Sequence, residues 1–336
     1  MRPATLALLG AAALVLLLMA WALQREPAGP ETGELLLPGL ATQLNAVSAI
    51  ELEPAGGEAF RIERGGDGWR APAKGGYPVD TARVRELLLG LAETRVAETK
   101  TANPDLHDRL GVEMAGDRPG SGMRLALEGL AAPVQLVLGQ RETRGLSGTY
   151  VRRLDEPAAL LVDRDLQVER EPLGWLERAV LDIPPEEVES LHIERPDGTM
   201  LQVDRDELGI FRIANLPPGR EPSGPTAAEA LARALTALRL DDVRPRGDED
   251  PPGTPIRAQF RLHGGIVIEA MSWESLSPAG GADYWTAFAA RSVDERAAAE
   301  AEALGQRLSP WLYRLPAWQH ERLARRLEDL LQPAGP

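Results

Sequence analysis

The sequence contains no cysteine, and lysine occurs only at Lys74 and Lys100. Without a thiolate the chain has no zinc site of the cysteine type, no redox-active cysteine pair, no thiol nucleophile and no lipid anchor on an N-terminal cysteine. A cysteine-free chain is compatible with an oxidising compartment but does not establish one. The remaining cationic residues are arginines, which we interpret as the mark of a GC-rich genome rather than of an arginine-specific function.

The net charge and the length limit which partners and how many domains we expect. The 336 residues carry a formal net charge of −14, whereas phosphate backbones and anionic lipid surfaces are bound by clustered Lys and Arg. We therefore expect no nucleic-acid partner. An apolar content of 43% is typical of a folded protein. The length suits two domains of about 100–150 residues each better than one core.

The chain lacks the sequence patterns of common catalytic sites. Neither Gly-x-Ser-x-Gly, nor His-Glu-x-x-His, nor a phosphate-cradling glycine loop occurs. The histidines have no metal-ligand partner at helical or hairpin spacing, and we assign them structural or surface roles. They are His107, His192, His263 and His320. Acidic turns at 163–165 and 248–250 lack the glycine and the distal Glu of a calcium loop, so we interpret them as solvated turns. The sequence thus predicts no catalytic residue, no cofactor and no metal.

The first 25 residues predict a membrane anchor. Residues 4–23 carry no charge, and at ~1.5 Å per helical residue they span ~30 Å, the hydrocarbon thickness of a bilayer. Ala20-Trp21-Ala22 also fits a cleaved signal peptide, but the apolar run exceeds the usual ~7–15 residues. With an anchor at 1–25 and a flexible linker at 26–39, we expect a single-pass inner-membrane protein whose bulk is periplasmic or otherwise extracytoplasmic.

Two later stretches repeat one pattern. Residues 47–64 and 188–205 each alternate apolar and polar residues on both sides of a glycine-containing turn, which is typical of a β-hairpin. The apolar positions coincide, because residues 47, 50, 52, 60 and 62 match residues 188, 191, 193, 201 and 203. Trp69-Arg70 and Phe211-Arg212-Ile213 predict a third strand in each copy.

Helix and strand signals follow each hairpin. Asp80 is placed to cap a helix in the first copy, and Thr226 with Glu229 forms a capping box in the second. Asn103-Pro104 and Gly111 bracket a short helix. Further strands are predicted at 123–127, 134–138, 149–153 and 159–162 in the first copy, and at 256–262, 266–270 and 283–289 in the second.

The end of each copy predicts more helix. A helix around Trp175 closes the first copy, and Trp311-Leu312 is its predicted counterpart in the second. An Ala/Glu-rich helix from Ser292 and Glu295 to about Leu308 has no parallel in the first copy, and a last helix carries leucines between 323 and 331.

These patterns predict an α+β fold. An N-terminal transmembrane helix would precede two tandem repeats, residues 40–185 and 186–333. Each repeat would be an antiparallel sheet with helices packed on one face.

Tryptophan outnumbers tyrosine, with 7 residues against 4. Most tryptophans lie in apolar patterns that recur between the copies, which favours core packing. Trp273 and Trp285 flank the loop 274–283 and are therefore the candidate residues for contact with a partner protein or a sugar ring.

Several motifs resemble one known family. They are the segments 37–40, 75–78, 100–104, 110–112, 148–153, 175–176 and 182–184. Together they resemble the domain-of-unknown-function 4340 family over nearly the whole chain after the anchor. The resemblance implies a membrane-anchored extracytoplasmic protein, linked in some members to ABC-type transporter or gliding-motility-like systems. It implies no catalytic residue.

We expect a non-enzymatic accessory or scaffold protein that binds a protein partner, either an ABC-type transporter, such as its permease, or an envelope-assembly component. Two alternatives stay open. The first is an envelope protein that binds or cleaves glycans, and the second is a purely structural spacer.

Overall fold

The computed structural model describes residues 32–113, 122–143, 145, 147–224, 226–247, 251–277 and 280–333. The predicted anchor at residues 1–25 lies outside the described residues, as do residues 26–31 of the predicted linker. Within the described ranges, none of the helices has the length and apolar character needed to cross a membrane.

Nineteen strands and six short or medium helices make up the described parts of the chain. The strands are β1 Ala49–Pro54, β2 Phe60–Gly65, β3 Gly68–Ala71, β4 Tyr77–Pro78, β5 Val96–Thr101, β6 Met123–Glu128, β7 Val134–Glu142, β8 Gly148–Arg153, β9 Ala159–Val162, β10 Ala179–Leu181, β11 Val188–Glu194, β12 Met200–Arg205, β13 Phe211–Ile213, β14 Leu238–Arg239, β15 Asp242–Pro245, β16 Ile256–Leu262, β17 Ile266–Leu276, β18 Ala282–Ser292 and β19 Trp311–Leu315. The helices are α1 Leu40–Gln43, α2 Thr81–Glu93, α3 His107–Leu110, α4 Glu229–Ala232, α5 Ala298–Leu308 and α6 Ala317–Leu323.

The chain divides into two compact units. The first comprises the described residues up to Ala73 together with Val79–Trp175, and the second comprises Lys74–Pro78 and the described residues from Leu176 onward. Inside the second unit, Lys74 forms an ion pair with Asp242 at 2.6 Å. The domain limits predicted from sequence, 40–185 and 186–333, stay a prediction.

Both units are built on an antiparallel sheet. Eight strands of the first unit lie in the order β3-β2-β1-β6-β7-β8-β9-β5, and the second sheet has the order β13-β12-β11-β16-β17-β18-β19-β15. Each strand of the second order carries a number ten higher than its counterpart in the first. The chain is therefore a sheet-rich α+β protein with few helices, as the alternating sequence pattern predicted in its coarse form.

The two hairpins of the repeated pattern form as predicted. In the first, Ile50 pairs with Ile62, and in the second, Leu191 pairs with Val203. These four side chains are buried, because residues two apart on a strand point to the same face and the apolar ones face the core.

Helix α2 covers the core face of the first unit. The Asp80 carboxylate accepts hydrogen bonds from the backbone N–H groups of Ala82 and Arg83, at 3.0 and 3.2 Å, so the predicted N-cap is confirmed. The residues buried on its inner face follow the helical period, and they are Val84, Leu87, Leu88, Leu91 and Ala92.

The predicted capping box of the second unit is wrong. Helix α4 begins at Glu229, with Ala228 at its N-cap, and the Glu229 carboxylate accepts from Arg233 one helical turn later. Leu231 and Leu235, the apolar residues expected on the inner face of this helix, are nevertheless buried, because α4 and a 3-10 turn at Arg233–Leu235 point them inward.

Four further predictions about the ends of the copies are corrected. The segment around Trp175 forms a 3-10 turn and then strand β10, not a helix. Trp311 lies in β19, whose counterpart by strand order is β9, so it does not match Trp175. The last helix ends at Leu323, and Leu330 lies in a separate 3-10 turn. Helix α5 follows a turn that is capped by Asp294, not by Ser292.

Candidate functional site

Trp273 and Trp285 face each other on neighbouring strands of the second sheet. They are register partners on β17 and β18, so their side chains lie on the same face. Trp273 is 3% exposed, packs with Ala287 and Leu312, and donates its indole N–H to the carbonyl of Gly253 at 3.2 Å. An indole that the chain itself buries has little surface left for a partner, so Trp273 acts as support for its neighbours.

Trp285 is the accessible member of the pair. It is half-buried, and the guanidinium of the exposed Arg244 lies 4.6 Å from the centre of one of its rings. This stack is a cation–π contact on the outer face of the sheet, the face away from the main core. Contact of a partner with Trp273 or Trp285 stays a prediction.

The first sheet carries an apolar cluster at the equivalent place. Its buried members are Val112, Val137 and Ala159, with Leu110, Tyr150 and Leu154 packed against them. The chain between β5 and β6 supplies Leu110 and Val112, and the chain between β15 and β16 supplies Gly253 to the cluster of the second sheet. Corresponding connections thus cover corresponding clusters.

Strand register gives the residue-by-residue match between the two sheets. Glu53 on β1 and Glu194 on β11 occupy the same place in the repeated hairpin pattern. Starting from these two residues, each next cross-strand partner in β6 to β9 has a counterpart in β16 to β19. The matched pairs are Arg124 with Arg257, Val137 with Met271, Arg152 with Ala287, and Ala159 with Leu312.

Arg152 is the residue that stands out in this match. Its guanidinium replaces the small apolar Ala287 of the other sheet, and Arg152 is 9% exposed. Its Nε–H donates to the carbonyl of Val112 at 2.9 Å, and no carboxylate of the described residues pairs with it. Burial lowers the pKa of Arg152, yet an arginine keeps its charge in a protein.

Arg152 lines a cleft of about 420 Å³ in the first unit. The cleft is lined by Pro104, His107, Glu113, Arg152, Leu154, Asp155, Glu156 and Pro157. The cap at Asn103, whose side-chain oxygen accepts from the N–H of Asp105, starts the turn that leads into α3 and places His107 there. Gly111, with a φ of 67°, then turns the chain so that Val112 reaches Arg152.

His107 is the second buried polar side chain of the cleft. It is 5% exposed, and its Nε2 has no hydrogen-bond partner among the described atoms. Burial lowers the pKa of His107, and the nearby Arg152 acts in the same direction. The imidazole is therefore neutral at pH 7, and one of its nitrogens is an acceptor.

A second cleft in the first unit, of about 520 Å³, runs between α2 and the segment 164–169. Both arginines that line it are paired, Arg83 with Glu169 at 3.5 Å and Arg164 with Glu93 at 2.9 Å. Because these cations are already paired, the cleft offers an anionic ligand less than the cleft at Arg152 does.

The other polar candidates of the sequence have local partners. Asp163 accepts from the backbone N–H of Arg95 at 2.9 Å, and Asp165 pairs with Arg141 at 3.2 Å. The acidic turn 248–250 lies outside the described residues. Over the described ranges, no group of three or more His, Asp or Glu side chains is arranged to hold a metal ion.

Sequence reasoning missed Arg152. In the alternating pattern of β8 an arginine reads as one more solvent-facing residue. The signal that finds it is the match between the copies, where a charge in one stands against alanine in the other.

Comparison with known proteins gives a family and nothing further. No curated protein and no solved structure matches the chain. The family described as Domain of unknown function (DUF4340) matches residues 69–255, more than half of the chain. The match begins in β3 and ends before β16, so it includes Arg152 and the cleft. The chain belongs to the domain of unknown function 4340 family.

Proposed function

We propose that this chain is a non-enzymatic, membrane-anchored extracytoplasmic protein that serves as an accessory or scaffold subunit for a protein partner. In this proposal residues 1–25 span the inner membrane once, and two tandem copies of one sheet module lie on its outer side. An ABC-type permease or an envelope-assembly component is the partner. The shared strand order of the two sheets supports the duplication.

The observation that carries the proposal is the stack of Arg244 on Trp285. Tryptophan and arginine are the residues most enriched at the centres of protein interfaces. The stack lies on an outer sheet face, and the buried Trp273 holds Trp285 from the neighbouring strand. A rigid aromatic side chain loses little conformational entropy when a partner covers it.

The same arrangement occurs a second time in this unit and supplies a matched control. Trp318 on α6 is 54% exposed, and the guanidinium of Arg322 lies 5.0 Å from the centre of one of its rings. Trp318 lacks the supporting tryptophan that lies behind Trp285.

The test is co-purification of the full-length chain from detergent-solubilised membranes, combined with photo-crosslinking from position 285 or 318. We expect Trp285→Ala and Arg244→Ala to weaken recovery of the partner by tenfold or more, since an interface centre of this kind contributes about 2 kcal/mol or more. Trp318→Ala should leave recovery unchanged. Equal loss in all three variants, or a chain that is recovered alone, would refute the proposal.

Glycan binding is the competing function, because a sugar ring also stacks on tryptophan. Here the Arg244 guanidinium already occupies one face of Trp285, and this favours a protein contact over a stacked sugar ring. Binding on a glycan array that is lost in Trp285→Ala would favour the glycan instead.

A further inference from the structure

The fold does not require a charge at the position of Arg152. The matched position in the second sheet is Ala287, which is fully buried between the strands that correspond to those around Arg152. A buried guanidinium without a carboxylate partner is unfavourable, and a sheet of the same order closes well with alanine there. The stability of the fold therefore does not account for the charge of Arg152.

Among the described residues, the Arg152 guanidinium makes one hydrogen bond, which leaves its other N–H groups available to a ligand. Nε is engaged by the carbonyl of Val112, so the two Nη nitrogens form the remaining fork. Neither has a partner among the described residues, and Arg152 lines the cleft. A planar pair of N–H donors at this spacing matches the two oxygens of a carboxylate.

The cleft also contains carboxylates, which limits the charge of what it accepts. Glu113, Asp155 and Glu156 line it, and Glu156 is paired with Arg153 at 2.7 Å. Glu113 and Asp155 form no ion pair with a described residue, and two such acidic groups repel a dianion more strongly than a monoanion. This disfavours phosphate more than it disfavours a single carboxylate. The apolar Pro104, Leu154 and Pro157 offer surface for a hydrocarbon or peptide portion.

We propose that this cleft of the first unit binds a carboxylate, which receives two parallel hydrogen bonds from the Nη nitrogens of Arg152. The buried His107 lines the same cleft. The carboxylate is either that of a small organic acid or the C-terminal group of a peptide. The site is independent of the docking surface at Trp285, because the two lie in different units and share no residue.

The experiment is calorimetric titration of the full-length chain in detergent with four probes. They are propionate, N-acetyl-glycyl-leucine, the amide of that dipeptide, and inorganic phosphate. We expect at least one carboxylate probe to bind and the amide and phosphate to bind at least tenfold more weakly. Binding of propionate alone identifies a free acid as the ligand, and binding of the dipeptide acid identifies a peptide terminus.

Variants assign the binding to Arg152. Arg152→Met and Arg152→Lys should each lower carboxylate affinity at least tenfold, since methionine has no charge and lysine has no fork. Arg141→Met is the control, because Arg141 is a half-exposed arginine on the neighbouring strand that pairs with Asp165. The Arg152→Ala variant should fold, because the second sheet folds with an alanine, Ala287, at the matched position. The proposal is overturned if no carboxylate probe binds, if the amide or phosphate binds equally well, or if Arg152→Met retains the affinity.

Discussion

Asp80→Ala tests how much the Asp80 N-cap of α2 contributes to the free energy of unfolding. The Asp80 carboxylate accepts from two backbone N–H groups at the start of a 13-residue helix, and both bonds are lost in the variant. Loss of an N-cap costs about 0.5–2 kcal/mol of the free energy of unfolding. Because two bonds are involved, we expect about 1–2 kcal/mol, which lowers the Tm of a domain of this size by roughly 3–6 °C.

The matched control comes from the second unit. Thr226→Ala alters a residue that the sequence pattern also marked as a cap, but α4 begins at Glu229 and the threonine side chain does not cap it. We expect a change below about 0.5 kcal/mol. The assay is urea unfolding followed by circular dichroism, with Asp80→Asn as a variant that keeps the acceptor. Equal destabilisation by Asp80→Ala and Thr226→Ala, or none by either, would refute the reasoning.

The remaining predictions concern buried or strained groups of the second unit. Burial, with Arg195 acting in the same direction, lowers the pKa of His320 to about 4, so the folded state binds its proton less readily than the unfolded state. The free energy of unfolding is therefore unaffected by the titration of this group above pH ~6.5. It decreases as the pH falls toward 4, by about 2 kcal/mol at pH 5. Urea unfolding at pH 7.5 and 5 should show a drop that His320→Phe reduces, and an unchanged drop would contradict the assignment. Ala237 has a φ of 49°, so Ala237→Gly should raise the free energy of unfolding by roughly 0.5–1 kcal/mol, and a decrease in Tm would count against strain there. The buried Thr286 and Ser272 hydroxyls lie 2.8 Å apart. Thr286→Val should therefore cost about 1–3 kcal/mol, and Ser272→Ala added to it should recover part of that loss; the double variant measured by urea unfolding decides whether the pair is a unit.

Local patterns predicted most strands of both units correctly. The hairpins at 47–64 and 188–205 have alternating residues with turn glycines between them, and this signal needs no information from distant residues. The same holds for Asp80, and for Asn103 and Gly111, whose side-chain and backbone preferences act within a few residues.

Predictions failed where short-range signals competed with the sheet. The segment after Trp175 has helical spacing of apolar residues, yet it pairs as β10 with β14. Tertiary contact overrides weak helix propensity in so short a segment. The capping box at Thr226 is similar, since the helix it would start is only four residues long.

The candidate sites show the same division. Because they flank one loop, Trp273 and Trp285 were predicted together as contact residues. Whether an indole is buried depends on the connection between β15 and β16, which is distant from both residues in the sequence. The difference between Arg152 and its counterpart Ala287 depends on the register of strands that are distant in the chain, so no local pattern marks Arg152.

The sequence by itself determined where the strands, turns and capped helix lie, because alternation, glycine and capping side chains act over a few neighbouring residues. It also contained the duplication, as two hairpins with the same apolar positions. Only the tertiary structure decided which side chains are covered and which buried charge lacks a partner. Burial and pairing are sums over strands that are distant in the chain, and no local pattern contains them.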